Sequence, residues 1–168
     1  VEAGDEVLYM LPPWFFYEGM IHNAGGKAVK LKVRSDNFDL DLDAITAAIN
    51  EKTKAVLVNS PNNPTGKIYP PATLRALGQI LTEASQRYGH PIYLFSDEAY
   101  NHILLDNVEF YSLTSYYPYS QMIYTYGQRR HDRTFDCRLC ESVCDSQGQG
   151  ITLIHHPRRE PEILWIAW

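Results

Sequence analysis

The sequence predicts an α/β fold built on a mostly parallel sheet. Short runs of strand character alternate with segments of helical period, and Gly, Pro and Asn clusters mark the boundaries between them. The run Ala55-Val56-Leu57-Val58-Asn59 is β-branched and continuously apolar up to its last residue, as in a strand covered on both faces. Strands separated by helices favour βαβ crossovers, and those pair strands in parallel.

Each element has its own local reason. Val1-Glu2-Ala3-Gly4-Asp5 reads as a turn leading into a strand at Glu6-Val7-Leu8-Tyr9-Met10, which Pro12-Pro13 ends. From Trp14 to Ala24, the apolar residues Phe15, Phe16, Met20 and Ile21 have helical spacing, and Gly25-Gly26 stops the helix. Ala28 to Val33 alternates apolar residues with lysines and predicts a half-exposed strand. Acids at Asp39, Asp41 and Asp43 precede the alanine-rich run Ala44–Ile49, a pattern suited to a helix N-terminus. After the Ala55–Asn59 strand, Ser60-Pro61-Asn62-Asn63-Pro64-Thr65-Gly66 has the chemistry of a loop. Pro70-Pro71 opens a long amphipathic helix through Leu74, Leu77, Ile80, Leu81 and Ala84, ending near Gly89. Strands are expected at Ile92–Phe95 and at Met122–Tyr126.

Composition narrows the class. A chain of 168 residues with 45% hydrophobic content is sized for one domain with a sizeable core. Its net charge of -5 gives no support for nucleic acid as the main partner. No apolar run has the length of a membrane span, and the N-terminus lacks the basic-then-apolar pattern of a signal peptide. Cys137, Cys140 and Cys144 all fall in the last quarter, so the first three quarters hold no disulfide framework. That fits a reducing compartment, and the cytoplasm is the expected location.

The chemistry is expected after the strand that begins at Ile92. Ser96-Asp97-Glu98-Ala99-Tyr100 places two adjacent acids and a tyrosine where an apolar run ends. In open α/β sheets, sites lie beyond the carboxyl ends of the strands. A carboxylate buried there needs a cation or strong hydrogen bonds to stay charged, and a protonated ring nitrogen of a cofactor meets that need. A simple turn or helix cap is the other reading of Asp97.

An aromatic after Pro12-Pro13, the Pro61-Asn62-Asn63-Pro64-Thr65-Gly66 loop and the Asp97-x-x-Tyr100 motif occur in that order. With these, the chain resembles the class I/II aminotransferases, pyridoxal-phosphate enzymes of fold type I. The resemblance covers residues 1–127 and implies the central part of a large domain, an incomplete three-layer sandwich. It implies that Asp97 pairs with the pyridine nitrogen of pyridoxal 5'-phosphate and keeps the ring an electron sink. It also implies that Asn63 and Tyr100 bond the ring's 3-hydroxyl oxygen, that Trp14 stacks on the ring and that Thr125 helps to hold the phosphate. The implied substrates are an amino acid and a 2-oxo acid, and the implied assembly is a homodimer. A carbon–sulfur β-lyase of the same fold shares these ring-binding residues, and a non-catalytic fragment is a third reading.

The departures from the family pattern are specific. Gln128 stands where the resemblance calls for the Schiff-base lysine, and an amide nitrogen can act neither as an imine-forming amine nor as a base. The resemblance therefore implies that the chain as given is catalytically incomplete. Residues 128–168 lose the alternating pattern and read as an unrelated tail, out of frame or disordered. Cys137-x2-Cys140-x3-Cys144 with His155-His156 offers soft ligands, but the spacing is not that of a zinc knuckle, and no metal is expected.

Overall fold

The structure is a computed structural model that describes residues 1–104 and 108–123. Along the chain come β1 (Glu6–Leu11), α1 (Tyr17–Asn23), β2 (Lys27–Lys32), α2 (Leu42–Ala48), β3 (Thr53–Asn59), α3 (Pro71–Tyr88) and β4 (Tyr93–Asp97). A short 3-10 turn, Leu113–Ser115, and β5 (Ser120–Ile123) follow. The strands form one sheet in the order β2-β1-β3-β4-β5. Every neighbouring pair in it is parallel, as the alternation of elements predicts.

The period-2 geometry of strands divides the apolar residues between two faces. On one face Leu8, Met10, Val56, Val58 and Leu94 pack with Ile45 of α2 and with Leu74, Leu77 and Leu81 of α3. On the other, Val7, Tyr9, Ala55 and Leu57 pack with Tyr17 and Ile21 of α1. The result is the expected three layers, with β3 buried along almost its whole length.

Helix α3 follows its sequence signals closely. Pro71 sits in the first turn, and Gly89 ends the helix in the left-handed region at φ 71°. Its buried side, Leu74, Leu77, Gly78, Leu81 and Ala84, repeats at three- and four-residue steps. Gly78 permits a close approach, because a Cβ there would lie 2.3 Å from the carbonyl oxygen of Tyr116. Helix α2 is capped by Asp41, whose Oδ1 accepts from the Ala44 N–H at 2.9 Å.

Helix α1 is shorter than its pattern. It begins at Tyr17, not Trp14: Pro13 has no side-chain acceptor to cap a helix starting at Trp14, and Phe16 takes the N-cap position without a side-chain bond. Phe15, one of the apolar residues in the helical pattern, is 75% exposed. β4 continues past Phe95 to Asp97, and its first residue, Tyr93, is exposed on the side where α1 lies over β1 and β2. β5 begins two residues before Met122; Tyr124–Tyr126 lie outside the described residues.

The amino end of the sheet is fastened by charge. Lys27 Nζ pairs with Glu6 Oε1 at 2.8 Å, and Asn50 Nδ2 donates to Glu6 Oε2 at 2.8 Å. These bonds hold the Glu6 carboxyl below its ordinary range. Lys27, Lys30 and Lys32 line edge strand β2, where lysines discourage pairing with another chain.

Candidate active site

The parallel sheet sends β3 and β4 out side by side, and Asn59 and Asp97 are partners in their last common register position. Both strand ends are tied together one step further, where the Ser60 N–H donates to the Asp97 carbonyl at 2.9 Å. Asn59 is 3% exposed and uses both ends of its side chain. Its Nδ2 donates to the Asp97 carbonyl at 3.0 Å, and its Oδ1 accepts from the Asn63 N–H at 2.6 Å. One carboxamide thus sets the position of the loop after β3 relative to the end of β4.

Asp97 is buried, at 9% exposed. Its Oδ2 accepts from the Tyr17 hydroxyl, and its Oδ1 accepts from the Ala99 N–H at 3.2 Å. Among the described residues no Lys, Arg or His forms an ion pair with it. Burial pushes the carboxyl above its ordinary range, and the two hydrogen bonds offset only part of that rise. Burial, together with the negative charge of Asp97, also pushes the Tyr17 phenol up, so it stays protonated and donates. The bond from Ala99 is a local turn contact, so Asp97 serves as a turn residue as well as a buried acid.

The loop after β3 is folded by Asn62. The Asn62 N–H donates to the Lys67 carbonyl at 2.9 Å, and its Oδ1 accepts from Thr65 Oγ1 at 2.8 Å. Gly66, at φ 71°, donates its N–H to the Asn62 carbonyl at 2.7 Å and closes the turn. The loop so formed presents Asn63, whose Nδ2 donates to the Tyr100 hydroxyl at 2.9 Å. Tyr100 keeps its own O–H proton for a further acceptor.

Trp14 lies on the same face of the sheet as Asp97. Its ring centroid is 5.6 Å from that of Tyr17 at an interplanar angle of 72°, and it packs against the apolar cluster that includes Phe95. The ring centroid of Phe16 is 4.9 Å from that of Trp14. The structure therefore brings Asn63 and Tyr100 into direct contact and links both to Asp97 through Asn59. It links Trp14 to Asp97 through Tyr17. Thr125, Gln128 and the tail cysteines lie outside the described residues. Among the described residues, no helix is long and apolar enough to cross a membrane, and no group of three or more His, Cys, Asp or Glu is placed to hold a metal ion.

Two residues of this arrangement were not singled out from the sequence. Asn59 left one signal, a polar residue closing a β-branched run at a strand's carboxyl end. Tyr17 follows Trp14 by three residues, which places both on one side of a helical turn, but in a row of four aromatics that spacing does not separate a site residue from core.

The family model described as aminotransferase class I and II matches residues 1–128. The aspartate/prephenate aminotransferase of Thermus thermophilus is 40% identical over 111 residues, which are 66% of this chain and 27% of that protein. The aspartate aminotransferase of Pyrococcus abyssi is 35% identical over 116 residues, 68% of this chain and 28% of its own length. Among solved structures, an amino transferase from Eubacterium rectale superposes with a TM-score of 0.73 at 32% identity, covering 75% of this chain and 32% of that one. The Thermus thermophilus aspartate aminotransferase with maleate gives 0.67 at 36% identity, covering 74% and 31%. The chain thus spans between a quarter and a third of the length of these relatives. With its motifs in family order on a parallel α/β sheet, the chain belongs to the class I and II aminotransferases.

Proposed function

We propose that this segment forms the ring-binding part of a pyridoxal 5'-phosphate site, and that the intact protein transfers an amino group from an amino acid to a 2-oxo acid. The observation that carries the reading is Asp97: a buried carboxylate, with no cation paired to it among the described residues, beside a loop that delivers Asn63 to Tyr100. Such a carboxylate is stabilised by a cation that arrives with a ligand.

The donor set fits the ring of the cofactor. Asp97 supplies an anionic acceptor for a protonated ring nitrogen. Tyr100 supplies an O–H, oriented by Asn63, for the ring's phenolic oxygen. Trp14 supplies an aromatic face. When bound, pyridoxal phosphate provides an electron sink for the electrons released as a proton leaves the substrate α-carbon. The chain's own residues prepare that role: Asp97 holds a proton on the ring nitrogen, Tyr17 fixes the carboxylate that does so, and Asn63 fixes the phenol of Tyr100. Thr125 belongs to the same proposal as a phosphate contact. A homodimer is proposed from the family alone, and a cytoplasmic location from the cysteine placement in the sequence. An amino-acid substrate agrees with the names of the relatives, and a carbon–sulfur β-lyase would use the same ring-binding residues.

The test separates ring binding from covalent capture. Calorimetry with 4'-deoxypyridoxine 5'-phosphate, which lacks the reactive aldehyde, reads non-covalent binding to the full chain. Saturable binding is expected, weakened about tenfold or more by Asp97→Asn, equivalent to roughly 1.4 kcal/mol. Equal affinity in wild type and Asp97→Asn would remove Asp97 from the site.

A further inference from the structure

Directly after Asp97 stands a second buried acid that the proposed chemistry does not use. Glu98 is 1% exposed. Its Oε1 accepts from Ser96 Oγ at 2.7 Å and from Ser112 Oγ at 2.6 Å, while its Oε2 has no hydrogen-bond partner. Ser60 Oγ, in a residue also 1% exposed, is likewise without a partner. The two orphans belong to one place in the fold. Parallel pairing ends at Asn59 and Asp97, and Ser60 and Glu98 are the next residues along the chain from the two strand ends, Glu98 turning its carboxyl to the face of Ser96, opposite Asp97.

Buried polar atoms without partners are rare, and two at neighbouring positions call for one explanation. An ionised Glu98 would put two buried negative charges on consecutive residues, with no cation paired to either among the described residues. A neutral carboxyl group avoids that conflict and converts Oε2 from an acceptor into a donor. Ser60, next after the neighbouring strand end, has a buried hydroxyl whose oxygen is free to accept such a proton. Burial pushes the Glu98 carboxyl up, and the charge of Asp97 adds to that rise, while the hydrogen bonds from Ser112, Ser96 and the Leu113 backbone N–H offset only part of it.

We propose that Glu98 is a positioning residue for Asp97: as a neutral acid it accepts from Ser96 and Ser112 through Oε1, offers its Oε2 proton toward Ser60, and so fastens the turn at 112–115 to the ends of β3 and β4. Ser112 is well placed to transmit the contact, because its Oγ also accepts from the Thr114 N–H at 3.2 Å and caps the 3-10 turn. The Glu98 backbone adds a third tie, its N–H donating to the Ile123 carbonyl at 3.0 Å in the adjoining strand. Locked in this way, the peptide between residues 97 and 98 fixes the direction in which Asp97 leaves the sheet. The functional weight of the proposal rests on the ring-binding reading of Asp97.

The test uses the full chain with Glu98→Gln and Glu98→Ala, and two readouts that need no cofactor. Infrared spectroscopy at neutral pH should show the carbonyl stretch of a protonated carboxyl group in wild type, with intensity lost in Glu98→Gln. The carboxyl carbon resonance of Asp97 should stay in place in Glu98→Gln, whose amide keeps an acceptor and a fixed donor, and move in Glu98→Ala. Binding of 4'-deoxypyridoxine 5'-phosphate should follow the same order, within about twofold of wild type for Gln and weaker by about fivefold or more for Ala. The absence of any loss of protonated-carboxyl intensity between wild type and Glu98→Gln overturns the neutral acid. A shifted Asp97 resonance in Glu98→Gln overturns the positioning role, and that comparison holds even if Glu98→Ala does not fold. If wild type binds no analogue, the ring-binding reading fails while both spectroscopic readouts still decide the state of Glu98.

Discussion

The side chain of Asn59 donates to the backbone carbonyl of Asp97 at 3.0 Å, across the last register pair of β3 and β4. Because its oxygen accepts from Asn63 at the same time, a single buried amide relates the acid to the loop that carries Tyr100's partner. Two loops from different crossovers are thereby held at a fixed spacing without touching a ligand.

Replacement of Asn59 by alanine should therefore damage both stability and ring binding. The Asn63 N–H loses its acceptor and the Asp97 carbonyl loses one of its two donors, at a cost of about 1–3 kcal/mol for polar groups left unpaired in a buried place. Urea unfolding measures the first effect and analogue calorimetry the second. Unchanged values in both would mean that the two loops hold their spacing without Asn59.

Removal of the phenol that faces Asp97 should raise the acid further. The Tyr17 hydroxyl bond is the larger of the two influences that lower the Asp97 carboxyl against burial. In Tyr17→Phe, the Asp97 carboxyl should titrate at higher pH than in wild type, followed by its carbon resonance. The variant should also lose about 1–3 kcal/mol where Asp97 is ionised, since a buried carboxylate oxygen loses its partner.

The raised Asp97 carboxyl gives stability a definite pH dependence. The folded chain keeps this proton to higher pH than the unfolded chain, where the carboxyl titrates near the ordinary value of about 4. Between that value and the raised one the folded state binds more protons, so the contribution is complete at lower pH and is lost as pH rises. Asp97→Asn should flatten this fall in urea midpoints. Glu6 has the opposite sign: its lowered carboxyl favours folding above the ordinary range, and that contribution is lost on acidification. A wild-type midpoint that rises with pH through the Asp97 window, with the same rise in Asp97→Asn, would contradict the assignment.

Substitution of Gly78 by alanine should destabilise the fold although alanine is the better helix former. Helix propensity favours the change by up to about 1 kcal/mol. The new methyl would meet the Tyr116 carbonyl at 2.3 Å, and relief requires α3 and the segment after the 3-10 turn to separate. A net loss of about 1–3 kcal/mol in thermal or urea unfolding is expected, as for other overpacked sites. A net gain would show that this contact yields easily.

The order of elements and the placement of Asn63, Asp97 and Tyr100 beside the strand ends were legible in the sequence because their signals are local. Proline at the start of α3 and glycine at its end set dihedral angles within one turn, and the β-branched run of β3 reports burial on both faces by itself. Asn63, Asp97 and Tyr100 stand in short motifs next to strand ends, so their neighbourhood is written within a few residues. The start of α1 was less legible, since four successive aromatics fit a helical period and a turn equally well, and only the absence of a cap after Pro12-Pro13 favours the turn.

What the sequence by itself determined is thus the parallel α/β framework and the acid, amide and phenol at its carboxyl edge. The tertiary structure alone decided which groups complete them: Tyr17 on Asp97, Asn59 between the two loops, and Glu98 turned to the opposite face toward Ser96 and Ser112. The physical reason is sequence separation. Tyr17 and Asp97 are 80 positions apart and Asn59 and Asp97 are 38, so nothing in local spacing relates them. Sheet register brings Asn59 to Asp97, the packing of α1 on the sheet brings Tyr17 there, and burial then makes each of those hydrogen bonds necessary.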